Sequence, residues 1–207
     1  GGCDSTCGST AVEDCAGTCG GTAVYDCSGV CGGTTTFDSF GLCGGDGTNA
    51  ANVFFSEAAE GSSNNKYWEV YNASDSAVDL SFYSLSSCNN GCDVDNTWDY
   101  TGNALEGVVA AGDVFVFCHS SIHSSIVPSS DILLGWQWFG SGDDAYGLID
   151  SSGNTLDIVG NQLGDPGSGW DVCGVASATA EQTLVRKSSV VSGNADWAVS
   201  AGTNADD

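Results

Sequence analysis

Two patterns of apolar and polar positions divide the chain near Gly47. Beyond it, short alternating runs recur: NVFFSEA, KYWEVYN, VDLSFYSL, TWDYTG, DVFVFC, YGLIDS, NTLDIVG, QTLVRK and DWAVS. Each is rich in Val, Ile, Phe, Tyr, Trp and Thr and is bounded by Gly, Asn, Asp or Ser, which predicts strands. No segment sustains a 3.6-residue apolar period, and Gly or Ser interrupts every window longer than about ten residues. The expectation is an all-β body over residues 48–207, long enough to bury its own core. Its inward-facing residues are expected to be Trp68, Val70, Leu80, Phe115, Phe117, Leu148, Ile158, Leu184 and Trp197.

Before Gly47 the pattern is different. CDSTCGSTAVED, CAGTCGGTAVYD and CSGVCGGTTTFD follow one another, and SFGLCGGDG repeats the unit with Ser39 in the first cysteine position. The period is twelve residues, and each full unit reads Cys-x-x-x-Cys-Gly. Such units hold too few large apolar side chains to bury a core, so order in residues 1–47 must come from cross-links, ions or neighbouring chains. This predicts an extended, disulfide-rich N-terminal repeat arm.

Charge narrows the partners. Lys66, Arg186 and Lys187 face 27 acidic residues, for a formal net charge of −24. Such a surface is repelled by nucleic acid and by anionic membranes, and it suits a salty or calcium-rich medium. Eleven cysteines without a Cys-x-x-C pair or a Cys/His cluster favour disulfides over zinc and a secreted, extracellular or cell-surface location. No apolar run reaches the roughly 20 residues of a membrane span. The absence of methionine is expected of a mature secreted chain or a fragment of a longer one.

The segments SEAAEGSSNNKYWEVYN (56–72), AVDLSFYSL (77–85), AAGDVFVFC (110–118), GSGDDAYGLID (140–150), TLDIVG (155–160), DPGSGWDV (165–172), TLVRK (183–187) and GNADWAVSAGTNADD (193–207) resemble, in order and spacing, the lamin tail domain in its secreted microbial form. The resemblance implies an immunoglobulin-like β-sandwich that serves as a binding or assembly module. The DCAGTCGG and DCSGVCGG units are similar to repeats of large secreted microbial surface proteins. Family members continue past the segment matching GTNADD into one more apolar strand. This sequence stops at Asp207, so the expectation is a truncated chain or a sandwich with an open edge for β-augmentation.

Candidate chemistry follows from residue types. Bridges within units would pair Cys3–Cys7, Cys15–Cys19 and Cys27–Cys31 and leave Cys43. A staggered scheme would pair Cys7–Cys15, Cys19–Cys27 and Cys31–Cys43 and leave Cys3. In the body, Cys88 and Cys92 flank a tight loop, and Cys118 and Cys173 are a candidate pair; sequence leaves the connectivity open. Asp14, Asp26 and Asp38 recur at one phase of the array, and with Asp46, Asp143 and Asp144 they are candidate calcium ligands, weighed against solvated turn residues. Asp93, Asp95 and Asp99 are further acidic candidates, whereas Glu57, Glu60 and Glu69 read as structural. His119 and His123 stand at i, i+4 but lack a third ligand at metalloprotease spacing, and the flanking serines read as loop. Asn72-Ala73-Ser74 is a candidate glycosylation sequon.

No nucleophile elbow and no phosphate loop occurs, so no enzyme is expected. The leading expectation is an extracellular structural protein that assembles with itself into a filament or surface layer by arm or strand exchange and disulfides. The alternative is a non-catalytic adhesion or binding module on a repeat stalk, holding a glycan or a cell-surface protein on an aromatic platform of Trp136, Trp138 and Phe139.

Overall fold

The computed structural model describes residues 1–135 and 138–204. The body is an immunoglobulin-like sandwich. The first sheet is ordered β11 (Thr183–Val185), β1 (Val53–Glu60), β2 (Lys66–Asn72), β7 (Val114–His119), β8 (Ile132–Leu134). The second is ordered β10 (Thr155–Val159), β9 (Ala145–Ile149), β4 (Ser84–Cys88), β5 (Tyr100–Ala104). A short pair, β3 (Val78–Asp79) with β6 (Val108–Val109), flanks them. All pairings are antiparallel except β7 with β8.

Alternation dictates which face is buried. In β2, Trp68, Val70 and Asn72 point inward while Tyr67, Glu69 and Tyr71 are only partly covered. Trp68 stands opposite Phe117 of β7 and Ala58 of β1, so one register aligns apolar residues of three strands. The ring of Trp68 meets that of Tyr146, from β9 of the other sheet, with centroids 4.5 Å apart. Seven of the nine residues expected to face inward are buried, and Phe115 and Leu184 are half-buried against the same core.

Three local readings change. VDLSFYSL is not one strand: Asp79 accepts from the Ser81 amide (2.9 Å) and turns the chain through a 3₁₀ turn, Leu80–Phe82, between β3 and β4. DWAVS forms a helical turn, α1 (Trp197–Ser200), because Asp196 caps the Ala198 amide at 3.0 Å, although Trp197 still enters the core. The two-residue β6 and three-residue β8 are too short for periodicity to reveal.

The last repeat unit is docked on the body rather than free of it. Leu42 bridges to Val78, the Cys43 amide donates to the Ala77 carbonyl (2.9 Å), and the Asp79 amide donates to the Gly41 carbonyl (2.8 Å). A Cβ on Gly41 would lie 2.5 Å from the Asp79 carbonyl oxygen, and its φ of +72° is one that glycine adopts without strain. Tyr83 donates to the Phe40 carbonyl, and Ser151 to the Ser39 carbonyl at 2.8 Å. Among the described residues no helix is long and apolar enough to cross a membrane.

Candidate functional site

The arm is an interlocked ladder. Its disulfides join Cys3 to Cys19, Cys15 to Cys31 and Cys27 to Cys43, each spanning 16 residues. Neither scheme considered from sequence is correct, because the first cysteine of each unit bonds the second cysteine of the next. Successive loops overlap in sequence, because Cys15 precedes Cys19 and Cys27 precedes Cys31. Backbone bonds follow the same step: the Gly20, Gly32 and Gly44 amides donate to the carbonyls of Val12, Val24 and Thr36 at 2.9, 2.9 and 3.0 Å. Ser39 needs no partner in this register, and the cysteine left over is Cys7, not Cys3 or Cys43.

The periodic aspartates clamp the turns. Asp14 Oδ1 accepts from the Ala16 and Thr18 amides at 3.0 and 2.8 Å, and its Oδ2 accepts from the Ala23 amide at 3.1 Å. Asp26 repeats this with the Ser28, Val30 and Thr35 amides, and Asp38 with those of Phe40, Leu42 and Gly47. Asp46 accepts from the amide and hydroxyl of Thr48. The Thr18 and Ala23 amides hold the Asp14 carboxyl below the usual range, and the Ser28 hydroxyl and Val30 amide do the same for Asp26. The phase that marked these residues as cation ligands is therefore the phase at which the backbone needs acceptors.

Two further assignments from sequence are corrected. Cys118 and Cys173 are not bridged; Cys118 is fully buried in β7, and the Cys173 Sγ lies 3.5 Å from the Ala201 carbonyl. Cys88 and Cys92 are bonded around their four-residue step. Asn72 is no glycan acceptor in the folded chain: it is fully buried, and its Nδ2 donates to the carbonyls of Ser76, Val109 and Ala110. A transferase needs that nitrogen exposed.

The remaining candidates are dispersed. Among the described residues no three His, Cys, Asp or Glu side chains converge as a metal site. Asp144 accepts from the Asn90 and Ser141 amides at 2.7 and 2.6 Å, and burial, opposed by those amides, raises its pKa. Asp143 Oδ1 is buried without a hydrogen-bond partner in the described residues. Asp99 accepts from the Asp93 amide (2.9 Å) in the exposed loop that includes Asp95. Glu57 accepts from the Tyr67 hydroxyl, Glu69 from that of Ser56, and Glu60 pairs with Lys66. His119 accepts from the Ser121 amide at 2.9 Å, and the ring of His123 lies 2.8 Å from the Ser125 hydroxyl, so each histidine is held by its own loop. Trp138 and Phe139 pack half-buried against the core, and Trp136 lies outside the described residues.

Sequence reasoning missed a groove of about 380 Å³ between the β1–β11 edge and the segment around α1. Val172, Cys173, Leu184, Arg186, Val190 and Trp197 line it. One wall is a buried clasp. Asp157 of β10, fully buried, bonds Arg186 Nη2 at 3.0 Å and accepts from the Phe55 and Asn194 amides at 2.9 and 3.0 Å, tying the two sheets together. Burial raises the Asp157 pKa, with the Arg186 guanidinium acting in opposition. The same guanidinium lies 5.7 Å from the Phe54 ring centroid. The signal for this pair was thin: a lone aspartate inside the apolar run TLDIVG and an arginine in a chain with three basic residues.

The sandwich with its two sheets and buried clasp defines an immunoglobulin-like module. The family model of the lamin tail domain matches residues 47–162, and the chain belongs to that family. It is a family of immunoglobulin-like structural domains that are generally non-catalytic. No curated protein shows a significant match to this chain.

Proposed function

We propose that this chain is an extracellular structural protein, a subunit that associates head to tail into a filament through its repeat arm. The observation that carries this reading is a pair of exposed apolar surfaces at separate places in one highly charged chain. On the arm, Val12 and Val24 are 74% and 73% exposed, with Tyr25 and Val30 beside them. Around the groove, Val175, Val185, Val191 and Val199 are each at least 60% exposed. Exposed valines on the arm and on segments beside the groove, in a chain of net charge −24, support the reading that these two regions make contacts. A heterologous contact that does not close on itself produces an open filament. Four disulfides suit an oxidising, extracellular setting.

The test is concentration-dependent association of the full chain, followed by sedimentation velocity and electron microscopy. Fibres with a regular subunit repeat are expected. Val24→Asp, which adds charge to the arm stripe without touching a core residue, is expected to give a folded monomer. A full-length chain that stays monomeric at high concentration in salt would favour the binding-module reading.

A further inference from the structure

We infer that Lys66 Nζ and the carboxyl carbon of Glu60 join as an internal amide between β1 and β2, with Asp144, at the head of β9, carrying the proton. Glu60 and Lys66 face each other as the cross-strand pair at the turn end of the β1–β2 hairpin, and Lys66 Nζ is in contact with Glu60 Oε1. The side chains of Lys66 and Glu60 are only 15% and 18% exposed. Surface ion pairs keep far more of both groups in water. Here the amine and the carboxyl are held together where little water reaches them.

The surroundings supply what amide formation needs. The pair lines a cavity of about 30 Å³, about the volume of one water, whose apolar walls are Trp68, Phe139, Val159 and Leu184. The second oxygen of Glu60, Oε2, accepts from the Glu181 amide, so a backbone donor already stands where negative charge develops when the carboxyl carbon is attacked. Asp144 and Tyr146 complete the cavity. Asp144 Oδ2 and the Tyr146 hydroxyl are gathered over Gly140, where a Cβ would lie 1.6 and 2.5 Å from them. Burial, and after it the charge of Asp144 with further shares from Glu60 and Asp143, holds the Tyr146 hydroxyl in its neutral form. Burial likewise raises the Asp144 pKa, opposed by the Asn90 and Ser141 amides and by the Lys66 ammonium, which makes this carboxyl a group that takes up a proton and returns it.

The reaction is a condensation that needs no oxidant. The Lys66 ammonium gives one proton to the Asp144 carboxylate across the cavity. The neutral Nζ then attacks the carboxyl carbon of Glu60, forming the C–N bond, while the Glu181 amide holds the charge on Oε2. Oε1 receives the proton from Asp144 and a second proton from Nζ, the bond from the carbon to Oε1 breaks, and one water leaves. Nζ keeps one hydrogen as the amide N–H, and Asp144 ends as it began. Reacting groups held in line reach effective concentrations of about 10⁵ M or more, which drives a condensation that free amines and carboxylates in water do not undergo. The product is a cross-link that reductants do not open, unlike the disulfides of the arm.

The test is the intact mass of the full chain, reduced and alkylated in denaturant, followed by tryptic mapping. The chain is expected to weigh one water less than its sequence requires. Trypsin is expected to cut after Arg186 and Lys187 but not after Lys66, whose acylated nitrogen it no longer recognises. Lys66→Arg and Glu60→Ala are each expected to show the full sequence mass. Glu60→Gln is expected to form the same amide with loss of ammonia in place of water, a difference that only bond formation at this carbon produces. Asp144→Asn is expected to keep the full mass in a folded chain. A full sequence mass with cleavage after Lys66 in the unmodified chain overturns the inference, whether or not any variant folds. A loss of water that persists in Lys66→Arg overturns it as well, because the dehydration then lies elsewhere. An Asp144→Asn chain that still loses the water removes Asp144 from the reaction and overturns the proton transfer.

Discussion

Oδ2 of Asp26 occupies the space that a Cβ on Gly33 would need, 2.0 Å away, so the aspartate before one cysteine and the second glycine after the next act as one device. The same holds for Asp14 with Gly21 and Asp38 with Gly45. The first unit departs at both places together: Gly2 stands where the aspartate would be, and Ser9 stands where the glycine would be. There the Ser9 hydroxyl takes over the Ala11 amide (3.1 Å), Asp4 takes over the Thr6 amide (3.1 Å), and the two side chains bond each other at 2.9 Å. One chain thus contains two solutions to the same turn.

That coupling predicts a rescue. Gly33→Ser alone is expected to displace the Asp26 carboxylate and free the Thr35 amide, lowering the protection of that turn. The triple change Asp26→Gly, Ser28→Asp, Gly33→Ser transplants the first unit's arrangement and is expected to restore it. Amide exchange of Val30 and Thr35 is the measurement, and a triple variant no better protected than Gly33→Ser would show that the pair is not coupled.

Because each arm bridge closes a 16-residue loop, each is expected to contribute about 3 kcal/mol by restricting the unfolded arm. Alkylation of the native chain should modify Cys7 and Cys173, with Cys118 reacting only in denaturant. Burial raises the Cys118 thiol pKa as well as shielding it. Reduction should loosen residues 1–38 before the sandwich, which buries its own core. More than two labels per native chain would contradict the ladder.

The arm should be sensitive to acid. The carboxyls of Asp14 and Asp26 are held below the unfolded value of 3.8, so the unfolded arm binds more protons in the window between. Their stabilisation is full above that value and is lost as pH falls through the folded pKa. Chemical shifts of the Thr18 and Val30 amides, followed from neutral pH into strong acid until both carboxyls are protonated, should each move as the clamp beneath it takes up its proton, Val30 only well below the ordinary carboxylate range. Shifts unchanged over that range would separate these amides from the carboxylates.

The clasp behaves oppositely. Burial raises the Asp157 pKa above 3.8, so the folded state holds its proton more tightly, and this group stabilises at low pH and ceases to do so as pH rises through its folded pKa. Arg186→Met removes the countercharge and should cost about 3–5 kcal/mol near neutral pH, as expected for an unpaired buried carboxylate. The deficit should shrink at mildly acidic pH, where Asp157 accepts a proton. Thermal unfolding at several pH values tests this, and a pH-independent deficit would mean that packing of the guanidinium stem, not charge, is what the variant loses.

Cations should promote association chiefly by screening the −24 charge. At equal ionic strength, calcium and sodium are expected to give similar fibre yields, because the repeat carboxylates already accept amide bonds. A calcium-specific gain, lost on replacing Asp143 or Asp144, would instead place a site at that pair.

The twelve-residue period, the change of pattern near Gly47 and the strand-forming alternation lie in the order of residues along the chain, because they depend on neighbours two or twelve positions apart. Alternation in KYWEVYN gives β2 with the expected bounds, since burying every second side chain is a local consequence of the pleat. Period alone leaves open which unit each cysteine meets. The pairing at a step of 16 rather than 4, 8 or 12 is set by how successive units stack, which depends on the Val12–Gly20 type of backbone bond and on the space vacated at Gly21, Gly33 and Gly45. The bonding of Asp157 to Arg186 and the burial of Asn72 were likewise undetermined by composition. A charged or amide side chain in an apolar run is favourable only where distant strands supply partners, and those partners are brought together when the two sheets close.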